Sequence, residues 1–340
     1  MQNDRSPTVE DVLILRDMIE ATRITRAIYV VTRLGVPDLL ASGPLGTTTL
    51  AESTGAHERS LFRVMRALSN RGIFKQQNGG FALTPRGSLL QKDTPGSLRD
   101  WTLWHGSEWS LRAWAEFEHA VVTGEPAFNH AMGEPFFSYL AGNASMAATF
   151  DAAMTSIGSQ MNQSVADVVD FSCFTTIADI GGGSGSLLAT LLRQYPQLHG
   201  ILFDLPGTMP KANKLFSSAG ISDRVTCIGG NFFDAVPANA DAYILKAILH
   251  DWDNADANTI LRNCHLAMKK GTRLFVVDMV VPDQDTPSPI KEVDLQMLAM
   301  QTGCERTAAE LESLLKNADF ELEEIKSTQS PISVAIAVRR

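Results

Sequence analysis

Between Thr175 and Leu192 the chain passes from a β-like run, Thr175-Thr176-Ile177-Ala178, through Asp179-Ile180-Gly181-Gly182-Gly183-Ser184-Gly185-Ser186 into a helical pattern of Leu187, Leu188, Leu191 and Leu192. A strand, a glycine turn and a helix start form a nucleotide-cradling corner, because glycines allow φ > 0 and let backbone come within contact distance of a ligand. The dinucleotide fingerprint is not met, since its third glycine would fall at Ser186. Asp204 ends the next strand, Gly200-Ile201-Leu202-Phe203-Asp204, where a carboxylate can accept hydrogen bonds from both ribose hydroxyls. Asp179, just before the glycines, would repel a pyrophosphate and suits a ligand carrying an ammonium group. The combination points to S-adenosylmethionine rather than NAD or ATP.

From about residue 175 onward strands and helices alternate. Strand-like runs fall at 176–180, 200–204, 225–229, 242–248, 273–280, 320–326 and 332–338, with helical runs between them at 185–194, 208–219, 256–270 and 307–318. Only Gln329-Ser330-Pro331 separates the last two strands, too short for a crossover, so they form an antiparallel hairpin. The expected fold is α/β: a seven-stranded, Rossmann-like sheet of the kind found in many methyltransferases.

The N-terminal part reads differently. Residues 9–42 are amphipathic and helical, with Leu13, Ile14, Met18, Ile19, Ile24, Ile28, Val31 and Leu34 at helical spacing. A helix near Thr49, a second from Ser60 to Ser69, and two short strands around Asn78-Gly79-Gly80 then describe a winged helix. Arg59, Arg63 and Arg66 on the second helix invite a DNA-binding reading. Leu61, Phe62, Val64, Met65 and Leu68 favour dimerisation instead, being too broad an apolar set for one buried stripe. Three domains follow: 1–97, helical and winged-helix, for dimerisation; 98–165, a helical linker and pocket segment; and 166–340, for cofactor binding and catalysis. The middle segment holds every tryptophan except Trp252, together with His105, Phe150 and Met154, and is the expected wall of a flat, apolar pocket.

Composition narrows the field of functions. With 44% hydrophobic and 20% charged residues the chain is globular, and a net charge of −9 argues against nucleic acid as its main partner. No secretory signal or membrane-spanning run is visible, so a cytoplasmic address is expected. Cys173, Cys227, Cys264 and Cys304 form no CxxC pair, and His57, His105, His119, His130, His199 and His265 show no ligand spacing, so no metal is expected.

The run Asp241 to Asp253 ends the fourth strand and carries Lys246, His250, Asp251 and Trp252 beyond its carboxyl end, where open α/β sheets bind ligands. His250 titrates near neutral pH and can take a phenol's proton as the oxygen attacks a methyl group. The segments Asp179–Ser186, Phe203-Asp204-Leu205-Pro206, Gly229-Gly230-Asn231-Phe232-Phe233, Lys246–Trp252 and Glu305-Arg306-Thr307 occur in this order. Together they resemble the caffeate-type, or plant-type, S-adenosylmethionine-dependent small-molecule O-methyltransferases, in particular bacterial members acting in secondary metabolism, including antibiotic biosynthesis. The resemblance covers essentially the whole chain and implies a homodimer through the N-terminal domain.

It also implies roles. Gly181 and Gly183 would line the methionine part of the cofactor and Asp204 would hold the ribose, while Asp179, Gly182, Leu205, Gly230, Asn231, Phe232, Lys246 and Trp252 belong to the same site. Asn231 stands where the family usually has aspartate; its amide oxygen can still accept the adenine amino group. His250 would be the base, oriented by Glu305 and Asp278. Asp278 replaces the family's common glutamate and is one methylene shorter, so its contact to His250 needs a shift or a water. Candidates for acceptor contact are Trp104, His105, Phe150, Met154, Asp251 and Met297. The expected reaction is direct methyl displacement onto a hydroxyl of an aromatic molecule of phenol, polyketide or phenazine type. The alternatives are the same fold turned to hydroxylation, decarboxylation or pericyclic chemistry, or a winged-helix regulator with a ligand-sensing domain.

Overall fold

The computed structural model describes residues 6–77, 79–283 and 285–340. These fall into two compact units, one made of residues up to Leu111 plus Ser145–Ile157, the other of Arg112–Ala144 and Gly158–Arg340. No helix among the described residues is long and apolar enough to cross a membrane.

The first unit begins with the 25-residue helix Val9–Arg33. Thr8 and Asp11 close its N-terminus as a capping box, each side chain taking the other's free backbone N–H. After the short helix Val36–Leu39 come helices Thr47–Thr54 and Glu58–Asn70, then strands β1 (Phe74–Gln77) and β2 (Gly80–Leu83), paired antiparallel. Asn78 of the expected turn lies outside the described residues. Leu50, Leu61, Met65, Leu68, Phe74 and Phe81 form the core of this unit.

Phe62 and Val64 pack on that same core. The apolar set of Glu58–Asn70 is therefore largely absorbed within its own unit, contrary to the sequence expectation of a surplus there. The surplus lies on the first helix, where Val9 (78% exposed), Leu13, Met18 and Ile19 (72%) face solvent. The spacing of residues 9–34 showed this helix as amphipathic, but only its C-terminal half finds a core to cover: Ile24, Ile28 and Val31 pack and the earlier residues do not.

The second unit is built on β3 (Thr176–Ile180), β4 (His199–Asp204), β5 (Val225–Gly229), β6 (Ala242–Lys246), β7 (Arg273–Val281), β8 (Arg306–Thr307), β9 (Phe320–Ser327) and β10 (Ile332–Arg339). The sheet runs β5-β4-β3-β6-β7-β10-β9, with the two-residue β8 added beside the end of β7. From β5 to β7 every pair is parallel; β10 is antiparallel to both β7 and β9, the hairpin expected from the short final turn. Ile177 and Ile244 enter one hydrophobic layer, while Ala178, Ile180, Tyr243 and Leu245 enter the other. Strands covered on both faces read as nearly continuous apolar runs, which is why they stand out in the sequence. The strand order reverses between β3 and β6, so the crevice for a ligand opens at their carboxyl ends.

Candidate active site

At the end of β3 the chain turns through Gly181 (φ 72°) and Gly183 (φ 57°) before Gly185 starts the helix Ser186–Gln194. A Cβ at Gly182 would lie 2.5 Å from both Asp179 Oδ2 and Leu202 Cδ1, and one at Gly181 would collide with Ile248. The turn thus presents backbone rather than side chains. Asp204 braces it: its carboxylate accepts the Gly183 N–H at 2.7 Å and the Leu205 N–H at 2.6 Å. Leu205 is 58% exposed beside that carboxylate, an apolar cover for a sugar or ring.

Asp179 is only 1% exposed, and neither of its oxygens has a hydrogen-bond partner. Burial pushes its pKa up to about 7, while Lys246 pulls it down and Asp204 pushes it further up. A buried carboxylate without a donor calls for one. The ammonium of an amino-acid ligand supplies three, so S-adenosylmethionine fits this corner on the chemistry of its residues. Lys246, at the end of β6, is itself pushed down by burial and drawn back up by Asp179 and Asp278. On the neighbouring helix Gly158 leaves room for it; a Cβ there would lie 3.2 Å from Lys246 Nζ.

Gly230 donates its N–H to the Asp204 carbonyl at 2.9 Å and closes the far side of the cradle. Asn231 is exposed, and its amide oxygen already accepts the Phe233 N–H at 3.0 Å, leaving one lone pair and the amide N–H groups. Phe232 and Phe233 meet Trp252 edge-on at 6.1 and 4.7 Å, and Phe137 stacks on Trp252 at 5.6 Å. Asn263 holds this aromatic group by donating to the carbonyls of Phe232 and Phe233 at 2.8 and 2.9 Å.

His250 sits on the single 3₁₀ turn Leu249–Asp251 after β6. Its Nδ1 lies 2.8 Å from Glu305 Oε1, and its Nε2 lies 3.4 Å from Asp251 Oδ1. Burial pulls the imidazole pKa down, but the charge of Asp251, the hydrogen bond donated to Glu305 and the charge of Asp278 outweigh it and raise the group to about 10. Burial raises Asp251 to about 6 and Asp278 to about 7, against the opposing pull of His250 on both. Asp278 Oδ1 has no hydrogen-bond partner, so the shorter acid acts on His250 through charge and not through a direct bond. Asp251, expected to meet the acceptor, stands against His250 as a third acid.

Several residues given no role in the sequence reading support this group. Asp294 accepts the Glu305 N–H at 2.8 Å. Gly303 runs so close to the His250 turn that a Cβ would collide with His250 O and Trp252 N. The buried Arg306 bonds that turn directly. Arg306 lay inside a recognised segment, yet nothing in Glu305-Arg306-Thr307 says which carbonyls the guanidinium reaches. The remaining acceptor candidates divide between the units. Trp104, His105, Phe150 and Met154 belong to the first, where Trp104 lies 4.4 Å from His105 and 5.7 Å from Phe150, and burial holds the His105 pKa down at about 4. Met297 belongs to the second and is buried on helix Ile290–Met300.

Comparison with known proteins places this geometry. Residues 114–321 match the O-methyltransferase domain family and residues 17–93 the O-methyltransferase dimerisation domain. The chain is 40% identical to the phenazine O-methyltransferase PhzM of Lysobacter antibioticus, over 99% of this chain and 98% of that protein. It superposes on the mitomycin 7-O-methyltransferase MmcR with a TM-score of 0.91 at 35% identity, covering 96% of this chain and 97% of that one. NcsB1, an O-methyltransferase from neocarzinostatin biosynthesis solved with S-adenosylmethionine and 2-hydroxy-5-methyl naphthoic acid, matches with a TM-score of 0.82 at 31% identity, covering 93% and 96%. Matched by both family models and along nearly its whole length, the chain belongs to the S-adenosylmethionine-dependent O-methyltransferase family.

Proposed function

We propose that the protein methylates a hydroxyl of a flat aromatic metabolite of phenol, polyketide or phenazine type, with His250 receiving the hydroxyl proton. The observation that carries this reading is the half-buried contact, 2.8 Å, between His250 on the turn beyond β6 and the buried Glu305 just before β8. Acceptors of this kind are named for relatives: a phenazine for PhzM and a naphthoic acid for NcsB1.

Bound at the glycine turn, S-adenosylmethionine supplies a methyl group on a positively charged sulfur, already activated for displacement. Asp179 holds the ammonium and Asp204 the ribose hydroxyls, while Gly181, Gly182 and Gly183 offer main chain. Phe232, Trp252 and Leu205 shield the rings from water. Lys246 faces the same end, its charge shared between Asp179 and Asp278. Glu305 accepts Nδ1–H and so leaves Nε2 of the neutral ring as the atom that accepts the acceptor's proton. Alignment of the reacting groups supplies most of the rate, up to ~7–11 kcal/mol, and the base a further ~10²–10⁴-fold. Trp104, His105, Phe150, Met154 and Met297 remain the candidates for contact with the acceptor.

The raised pKa of His250, about 10, favours a second reading in which an imidazolium pairs with an acceptor that arrives already ionised. The dependence of kcat/KM on pH separates the two. A base requires activity to fall on the acid side of the His250 titration, an imidazolium on the alkaline side. Under either reading His250→Ala lowers methyl transfer about 10²–10⁴-fold with S-adenosylhomocysteine affinity unchanged. Equal turnover in mutant and parent would remove His250 from the reaction. Incubation with hydroxylated phenazines, naphthoates and simple phenols, following S-adenosylhomocysteine and methylated product together, tests the acceptor class. Conversion of an acceptor without release of S-adenosylhomocysteine would point to the non-methylating chemistry.

A further inference from the structure

The main chain around His250 is a short irregular stretch, tied by the Ala247 N–H to the Val277 carbonyl at 3.0 Å and by the Asp251 N–H to the Ile248 carbonyl at 3.1 Å. The 3₁₀ turn Leu249–Asp251 is only three residues long, and it follows Ala247, a non-glycine residue at φ 53°. Such a conformation costs roughly 1–3 kcal/mol and persists only where the surroundings enforce it. Within the turn the Trp252 N–H reaches the Leu249 carbonyl at a long 3.4 Å.

Arg306 adds side-chain anchors to this turn. It is 5% exposed, and its Nη1 donates to the Leu249 carbonyl at 2.6 Å and its Nη2 to the Trp252 carbonyl at 2.8 Å. Those two carbonyls bracket His250 and Asp251. Nε and Nη2 also donate to Asn254 Oδ1 at 3.2 and 3.1 Å, tying in the first residue of the helix Asn254–Ala267. Three points on one stretch of chain are thus fixed to one planar, always-charged group. A lysine has neither the fork nor the reach to hold both carbonyls at once.

The placement of Arg306 is itself fixed. With Thr307 it forms β8, paired to Val280 and Val281 at the end of β7. Glu305 immediately precedes it and takes the His250 ring. Consecutive residues therefore act on one turn, Glu305 at the His250 ring and Arg306 at the carbonyls of Leu249 and Trp252 on either side of it. The charge of Arg306 also acts on Asp278, favouring its carboxylate beside His250.

We propose that Arg306 is a positioning residue for methyl transfer: by clamping the carbonyls of Leu249 and Trp252 it sets where the His250 ring stands relative to the acceptor hydroxyl. The proposal rests on His250 taking part in the reaction. A displacement of about 1 Å at such a group can cost ~10²-fold in rate.

A double-mutant cycle tests it. Arg306→Lys keeps a cation and should lower kcat by about 10- to 100-fold, with S-adenosylhomocysteine affinity changed far less and the pH profile of kcat/KM shifted. In a His250→Ala background the same change should cost almost nothing, because the residue it positions is gone. An equal loss in both backgrounds, or no loss in the parent, overturns the proposal. Full turnover by His250→Ala alone would instead defeat the reading of His250, and that is seen separately. If Arg306→Lys does not fold, Asn254→Ala removes one anchor of the guanidinium at an exposed site. Its smaller loss must vanish in the same way when His250 is absent, and persistence of that loss counts against the clamp.

Discussion

Gly182 and Asp179 are packed so closely that a single added Cβ would stand 2.5 Å from a carboxylate oxygen that has no other partner. Gly182→Ala must displace either the acid or the turn. The expected outcome is a rise of at least tenfold in the Kd of S-adenosylhomocysteine, measured by calorimetry, with stability lowered by about 1–3 kcal/mol. Unchanged affinity would mean that the ammonium is held elsewhere.

Asp204, proposed to hold the ribose, accepts the Gly183 and Leu205 amides. Asp204→Ala removes the ribose contacts, each worth roughly 1.5–3 kcal/mol, and leaves two amides without an acceptor. Asp204→Asn keeps one acceptor oxygen and should fall between mutant and parent. Titration calorimetry with S-adenosylhomocysteine reads this order directly, and equal affinities in all three proteins would exclude Asp204 from the site.

The buried acids give stability a definite dependence on pH. Asp251 is raised to about 6 and Asp179 and Asp278 to about 7 from 3.8, and His250 to about 10 from 6.5. In each case the folded protein holds the proton more tightly than the unfolded chain. The contribution is full below the unfolded pKa and is lost as pH rises through the folded one, so all four act in the same direction. The melting temperature of the ligand-free protein should fall between about pH 5 and pH 9. S-adenosylhomocysteine, by pairing with Asp179, should flatten the lower part of that slope. A rise in stability with pH would contradict the burial of these groups.

The exposed apolar face of the first helix is proposed to join two copies of the chain. Met18→Asp with Ile19→Asp places two charges on residues 67% and 72% exposed, where the isolated subunit has no packing to lose. Light scattering should show a monomer, and activity should fall although the proposed catalytic and cofactor residues all lie beyond position 178. A variant that remains dimeric would move the interface to another surface.

The sequence revealed those parts of the fold whose signal is local. β3, β6 and β7 are apolar runs buried on both faces, and the glycine turn announces itself through residue types that only a tight turn requires. β8 escaped because two residues have no periodicity. Arg306 escaped for a different reason: its partners Leu249, Trp252 and Asn254 lie 52 to 57 positions away, and no spacing encodes them. Residues 60–68 misled through breadth. A wide apolar set looks the same whether a second subunit or the unit's own core covers it, and here Phe62 and Val64 join the core. For Asp278 the missing methylene suggested a contact through a shift or a water, whereas the acid acts on His250 through charge, with no direct bond between them.

The isolation of Asp179 bears on how the enzyme recycles. A carboxylate held away from water and from every donor resists being left alone, so any cation that reaches it departs reluctantly. S-adenosylhomocysteine keeps the amino-acid end of S-adenosylmethionine and differs at the sulfur, far from this anchor. The proposed grip at Asp179 would not tell fresh from spent. The spent form should therefore compete strongly for the site, and sustained throughput should depend on a partner reaction that destroys it.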